Sequence, residues 1–214
     1  MAEKSRVIRT FHKFIDWLQW GDPLRPAQDL STLLKFAGAF LNGHQLDWWL
    51  ECGTLLGCVR HQALIPWDHD LDAGLTAASL ARLRSIMQTA SLPDGFGYKW
   101  HDDGYARLTW REVWIDLVGY AFDARSGSWQ PQLPATNRIP GNTDDYYPDY
   151  PEAQLFPLGV GLVNGIAYPI PHDPDPILRT YYGNYCRLDP IPLGFSALYH
   201  PWKTAAFVRT YWAR

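Results

Sequence analysis

Between residues 46 and 75 the hydrophobic period of the chain changes from that of a strand to that of a helix and back. That alternation constrains the fold more than any other feature, because strand, tight turn, helix and second strand in close succession describe an α/β unit. Leu46-Asp47-Trp48-Trp49-Leu50-Glu51 has the length and composition of a short buried strand. Gly53-Thr54 follows, and the apolar residues after it have helical spacing, so this is a turn feeding a helix N-terminus. Ile65-Pro66-Trp67-Asp68-His69-Asp70-Leu71-Asp72-Ala73-Gly74-Leu75 reads as a loop entering a second strand. Side chains alternate along a strand, so Leu71 and Leu75 face the core while Asp70 and Asp72 share the opposite face.

The rest of the chain supplies elements around this unit. Residues 6–20 and about 27–41 read as amphipathic helices, separated by Asp22-Pro23 and Arg25-Pro26 and closed by Asn42-Gly43. Thr76 caps a helix running to Thr89. Phe96–Trp100, Tyr105–Trp110 and Glu112–Tyr120 read as a meander of strands turning at Asp102-Asp103-Gly104. Residues 123–157 show no period, and a connection of that length is usually functional or a lid. Asn164-Gly165 predicts a hairpin over Val160–Pro169, Pro176–Tyr182 a short helix stopped by Gly183, and 201–212 a terminal helix. The expected class is α/β (α+β), a mixed sheet flanked by helices with a long irregular loop region. Residues 1–44 are expected to form a helical segment packed on a core made by 45–214, one globular unit overall.

The chemistry concentrates in acids. Asp70 and Asp72 side by side each raise the proton affinity of the other, an arrangement that calls for a cation. Hard divalent ions take oxygen ligands, and magnesium is typically held by one or two carboxylates plus substrate phosphates. Asp116 is a single charge in the apolar strand Val113-Trp114-Ile115-Asp116-Leu117-Val118 and needs a partner. If its strand neighbours that of Asp70 and Asp72, the three carboxylates converge. The Gly53-Thr54 turn offers free amides and positive dipole potential to phosphate, with Arg60 further along as a bidentate contact. Asp144, Asp145, Tyr146, Tyr147, Asp149 and Tyr150 read either as an ordered surface loop or as a cradle for a cationic or sugar ligand.

The run Gly53-Thr54-Leu55-Leu56-Gly57-Cys58-Val59-Arg60, followed by Ile65-Pro66-Trp67-Asp68-His69-Asp70-Leu71-Asp72, resembles the signature of the LicD/fukutin family. Ile115-Asp116-Leu117, Leu155-Phe156-Pro157-Leu158, Tyr168-Pro169-Ile170-Pro171 and Leu178-Arg179-Thr180-Tyr181-Tyr182-Gly183 resemble its later elements. The resemblance covers roughly Gln45 to Asn184. It implies a nucleotidyltransferase-like fold and a metal-dependent transfer of a phospho-alcohol, phosphocholine or a polyol phosphate, from a CDP-activated donor to a glycan hydroxyl. Asp70, Asp72 and Asp116 then become the catalytic acids and the ligands of Mg2+ or Mn2+. Gly53, Thr54, Arg60 and Asp68 become the substrate and phosphate contacts. His69 stands where the family often has an acid, and its position in the alternation points it away from the metal.

Composition narrows the partners. Lys and Arg number 19 against 22 Asp and Glu, so a bulk basic footprint for nucleic acid is absent. Three cysteines with no CxxC pair argue against a disulfide framework and for a reducing compartment, so the expected location is cytoplasmic. No window approaches the ~20 apolar residues of a membrane span. The expected partners are a CDP-linked donor and a glycan or lipid-linked saccharide acceptor. Two alternatives stay open: a transferase that moves the nucleotide itself onto a small molecule or protein, and a non-catalytic glycan- or nucleotide-binding protein of the same fold.

Overall fold

The structure, a computed structural model, describes residues 25–65, 68, 70–102, 104–133 and 147–186. The helices expected at 6–20 and 201–212 lie outside these residues. Helix α1 (Arg25–Gly43) buries one face completely, with Leu30, Leu33, Ala37 and Leu41 all inaccessible to water. That stripe at three- and four-residue spacing is what makes the segment helical, since it lets one side pack while the other stays wet.

Among the described residues, seven strands form one mixed sheet. Strands β1 (Trp48–Leu50), β2 (Asp70–Thr76), β5 (Val113–Asp123), β4 (Tyr105–Trp110) and β3 (Phe96–Asp102) lie side by side in that order. β2 and β5 run parallel; the other neighbours are antiparallel. Helix α2 (Cys52–His61) links β1 to the loop before β2. Helix α3 (Ala77–Met87) begins at once after β2, its first turn capped by Thr76, whose Oγ1 accepts from the Ser79 N–H at 3.2 Å.

The strand alternation sorts the sheet into two unlike faces. Leu71, Ala73 and Leu75 of β2, Ile115 and Leu117 of β5, and Ala106 and Leu108 of β4 join α1 and α3 in the main apolar core. The opposite face carries Trp49, Val118 and Tyr120, covered by Tyr147, Tyr150 and Leu155.

The stretch 123–157, expected to lack regular structure, contains several short elements. β5 continues to Asp123, its end pairs with β6 (Ser128–Pro131), and β6 pairs with β7 (Tyr150–Pro151), which runs into helix α4 (Glu152–Leu155). Apart from the β5 extension, these pieces span two to four residues, too short for any hydrophobic period to show. The hairpin of β8 (Gly159–Val163) and β9 (Ile166–Ile170) turns at Asn164 and Gly165, with φ of 51° and 79°. Positive φ at both central residues is the tight primed turn, and asparagine and glycine tolerate it best. Helix α5 (Asp175–Tyr182) ends at Gly183 and completes the described chain.

Candidate active site

Parallel pairing of β2 with β5 puts Asp72 directly across from Asp116. Asp70, two residues before Asp72, shares its face and lies across from Trp114. Both facing acids are nearly dry, Asp72 at 4% exposure and Asp116 at 7%. The row extends in both directions. Glu51, just past β1, donates its backbone N–H to the Asp72 carbonyl at 3.1 Å, and Arg107 of β4 lies across from Asp116.

The turn between β1 and α2 grips Asp72 from its other side. Cys52 takes a left-handed φ of 46°, which swings the chain from strand to helix. Thr54 is then buried beneath β2, and its Oγ1 accepts the Asp72 N–H at 3.0 Å. The Asp72 carboxylate accepts a hydrogen bond from the Tyr147 hydroxyl at 3.2 Å. Main chain and side chain of Asp72 are thus both held by groups distant in sequence.

The remaining residues singled out from the sequence occupy different places. Asp68 reaches the start of α2, so close that a Cβ on Gly53 would lie 2.6 Å from its Oδ2. A carboxylate there complements the positive end of the helix, and the close approach that Gly53 permits is used by this acid. Arg60 stands near the other end of α2, about 12 Å along the axis from Cys52. Its Nε donates to His61 Nδ1 at 3.3 Å, and its charge acts on Tyr182 of α5. Trp67, His69 and residues 134–146 lie outside the described residues. Tyr147 and Tyr150 are buried behind the acids at 8% and 1% exposure, not displayed on a surface loop.

Two contributors escaped the sequence reading, and a third, Tyr147, entered it only as part of a surface loop or ligand cradle and not as a partner of Asp72. Arg107 grips Asp116 with two bonds, Nε to Oδ1 at 2.6 Å and a terminal nitrogen to Oδ2 at 3.1 Å. Its guanidinium lies over the Trp114 ring, 4.6 Å from the centroid, and donates to the Tyr105 hydroxyl at 2.8 Å. Glu51 is fully buried and accepts from Trp49 Nε1 at 3.0 Å. Its other oxygen and the hydroxyls of Tyr120 and Tyr150 are close neighbours without a well-formed hydrogen bond. Tyr147, the third, is the donor to Asp72.

Electrostatics follow from crowding. The Asp72 carboxyl is pushed well above the usual carboxylate range, by burial first and then by Asp70, Asp116, Asp68 and Glu51. Burial lifts Glu51 to about 7 against the hydrogen bonds of Tyr120, Trp49 and Tyr150. Cys52 is pushed up by burial and by the same acids, which leaves it a poor nucleophile. Tyr182 on α5 is raised in the same way, by burial and then by Cys52, Asp72, Asp68 and Asp70, and so belongs to the rim of the site.

Such a donor set fits a hard divalent cation. The ligand atoms are carboxylate oxygens, and their mutual repulsion is relieved by positive charge. Among the described residues no three potential ligands stand close enough to cage an ion unaided. Magnesium is typically held by one or two carboxylates and completes its shell from water and substrate phosphates, and Asp70 and Asp72 share one face here.

Comparison with known proteins gives this geometry a family context. A family model described as LicD/FKTN/FKRP, nucleotidyltransferase domain, matches residues 45–173, more than half of the chain. An uncharacterised protein of Rickettsia prowazekii is 40% identical over 63 residues, covering 29% of this chain and 24% of that protein. The ribitol 5-phosphate transferase FKRP of Homo sapiens is 36% identical over 73 residues, 33% of this chain and 15% of its own length. The chain thus spans a quarter or less of these relatives. Among solved structures, the lincosamide antibiotic adenylyltransferase LnuA with lincomycin bound aligns with 79% of this chain and 96% of its own, at 11% identity and a TM-score of 0.47.

Proposed function

The chain belongs to the LicD/FKTN/FKRP nucleotidyltransferase-domain family, and on that footing we propose that it transfers a phosphorylated alcohol from a CDP-activated donor to a glycan hydroxyl. The observation that carries the reading is the register of Asp72 against Asp116 beside the Gly53-Thr54 turn. Asp70 and Asp72 are the residues to hold Mg2+ or Mn2+. A bound ion supplies charge neutralisation at the donor pyrophosphate and its leaving group.

The chain's own groups do the rest. Thr54 and Glu51 fix the main chain of Asp72, and Tyr147 fixes its carboxylate, so the acid needs little reorganisation when substrate arrives. Asp116, anchored by Arg107, faces the same space, and in this reading it takes the proton of the acceptor hydroxyl. The acceptor oxygen bonds to the phosphorus bearing the alcohol, the bond from that phosphorus to the bridging oxygen breaks, and CMP leaves with that oxygen. The acceptor is a glycan or lipid-linked saccharide.

A thermal-shift panel of CDP-alcohols, CTP, ATP and UDP-sugars, each with and without Mg2+, tests the donor class. Stabilisation by CDP compounds that requires the metal supports the reading. Product analysis then separates the chemistries. Release of CMP supports phospho-alcohol transfer, whereas release of pyrophosphate from CTP or ATP makes the protein a nucleotidyltransferase. Stabilisation by glycans with no donor turnover makes it a binding protein.

A further inference from the structure

A site for two divalent ions would need Asp116 as a ligand beside Asp70 and Asp72, and both of its oxygens are already engaged. Two-metal sites place their ions about 3.5–4 Å apart and hold them with carboxylates that serve both. In this chain the Asp116 carboxylate is bound edge-on by a guanidinium, at 2.6 and 3.1 Å. The pair is not a passing surface contact. The Asp116 side chain is 10% exposed and that of Arg107 28%. Trp114 lies under the guanidinium plane and Tyr105 accepts a further N–H from it, so the cation is held from three directions. Strand pairing puts the fork there: Asp72, Asp116, Arg107 and the exposed Lys99 follow one another across β2, β5, β4 and β3. The face therefore runs from negative to positive along one line.

We infer that the Arg107 guanidinium stands as the built-in second positive charge of the site, so that the acidic face takes one divalent ion per chain. This rests on the metal-dependent reading above. Of the acids that share this face, Asp116 is paired with the guanidinium, which leaves Asp70 and Asp72 as the neighbouring carboxylates to hold a single divalent ion. Arg107 acts through Asp116 and is a positioning residue.

Counting bound Mn2+ by electron paramagnetic resonance at neutral pH, with the metal alone, tests the inference. The wild-type chain should bind one equivalent. Arg107→Met, which keeps bulk against Trp114 but removes the charge, should bind a second, while Arg107→Lys, which keeps the charge without the fork, should stay at one. A second equivalent in the wild type overturns the inference and leaves metal dependence intact, and it decides the matter even if Arg107→Met does not fold. A folded Arg107→Met that still binds only one ion overturns it too. No Mn2+ uptake by the wild type, either with the metal alone or with CDP added, overturns the metal-dependent reading itself, and the inference with it.

Discussion

On β2 alone, Leu71, Ala73 and Leu75 enter the main core while Asp70 and Asp72 enter the site. The same division holds on β5 and β4, where Ile115 and Leu117 oppose Asp116, and Ala106 and Leu108 oppose Arg107. Two faces less than a side chain apart are thus built on opposite terms. One buries aliphatic groups, each contributing roughly 1.5–3 kcal/mol. The other gathers like charges and leaves Glu51 Oε2, the Tyr120 hydroxyl and the Tyr150 hydroxyl without well-formed hydrogen bonds. The first face supplies the stability that lets the second be held in a conformation it would not choose for itself.

The largest effect expected from separating the two is at Asp72. Asp72→Asn keeps the shape and an acceptor for Tyr147 but removes the charge. CMP release should fall by about 10³-fold or more, roughly 4 kcal/mol of barrier. Thermal stability should rise, because a buried carboxyl crowded by Asp70 and Asp116 becomes neutral. A variant that loses activity and melts lower would mean that the acidic face is structural.

Leu117→Ala tests the opposite face from one residue away. Leu117 is completely buried, and the substitution should cost about 3 kcal/mol of folding stability. Turnover per folded molecule should stay within a factor of two. A large fall in turnover at permissive temperature would show that the faces are coupled through β5.

Two glycines sharpen the contrast on the charged side. A Cβ at Gly74 would sit 2.4 Å from the Trp49 ring, which is wedged among Tyr120, Tyr150 and Phe156. Gly74→Ala should therefore destabilise by about 1–3 kcal/mol. At Gly53 the nearest atom is an oxygen of the Asp68 carboxylate, the far end of a side chain. Gly53→Ala should displace that acid with less than about 1 kcal/mol lost and reduce kcat/KM about tenfold. Equal stability losses at the two positions would mean that Asp68 is as rigidly seated as Trp49.

What the sequence revealed follows from the same geometry. Asp70, Asp72 and Asp116 were legible because each interrupts an apolar strand, and a two-residue period assigns its face without reference to any other strand. The Asn164-Gly165 turn and the Thr76 cap were legible because single residues carry them. Arg107 was not. Its alternation with Ala106 and Leu108 placed it on the face of Tyr105, but only the pairing of β4 with β5 shows that Asp116 shares that face. Glu51 read as the end of a strand, and its burial depends on Tyr120 and Tyr150, far along the chain. The amide end of α2 looked suited to phosphate because nothing local to Gly53 announces that Asp68 folds back onto it.

The smallest effect asks which part yields in acid. His61, at the end of α2, accepts from Arg60 at Nδ1 and lies 3.4 Å from the Leu64 carbonyl at Nε2, contacts that suit the neutral ring protonated at Nε2. Burial and then the Arg60 charge depress its pKa from 6.5 to about 4. A depressed histidine contributes its full stability above the unfolded value and loses it as the folded value is approached. The loss should begin below pH 6.5 and reach about 1–2 kcal/mol at pH 5. Asp72 has the opposite sign, since its raised pKa means that acid relieves repulsion on the charged face. Urea unfolding of the wild type and of His61→Gln at pH 7 and pH 5 separates the two. The variant should lose much less stability between these pH values than the wild type. Equal losses would move the acid-sensitive step away from the end of α2.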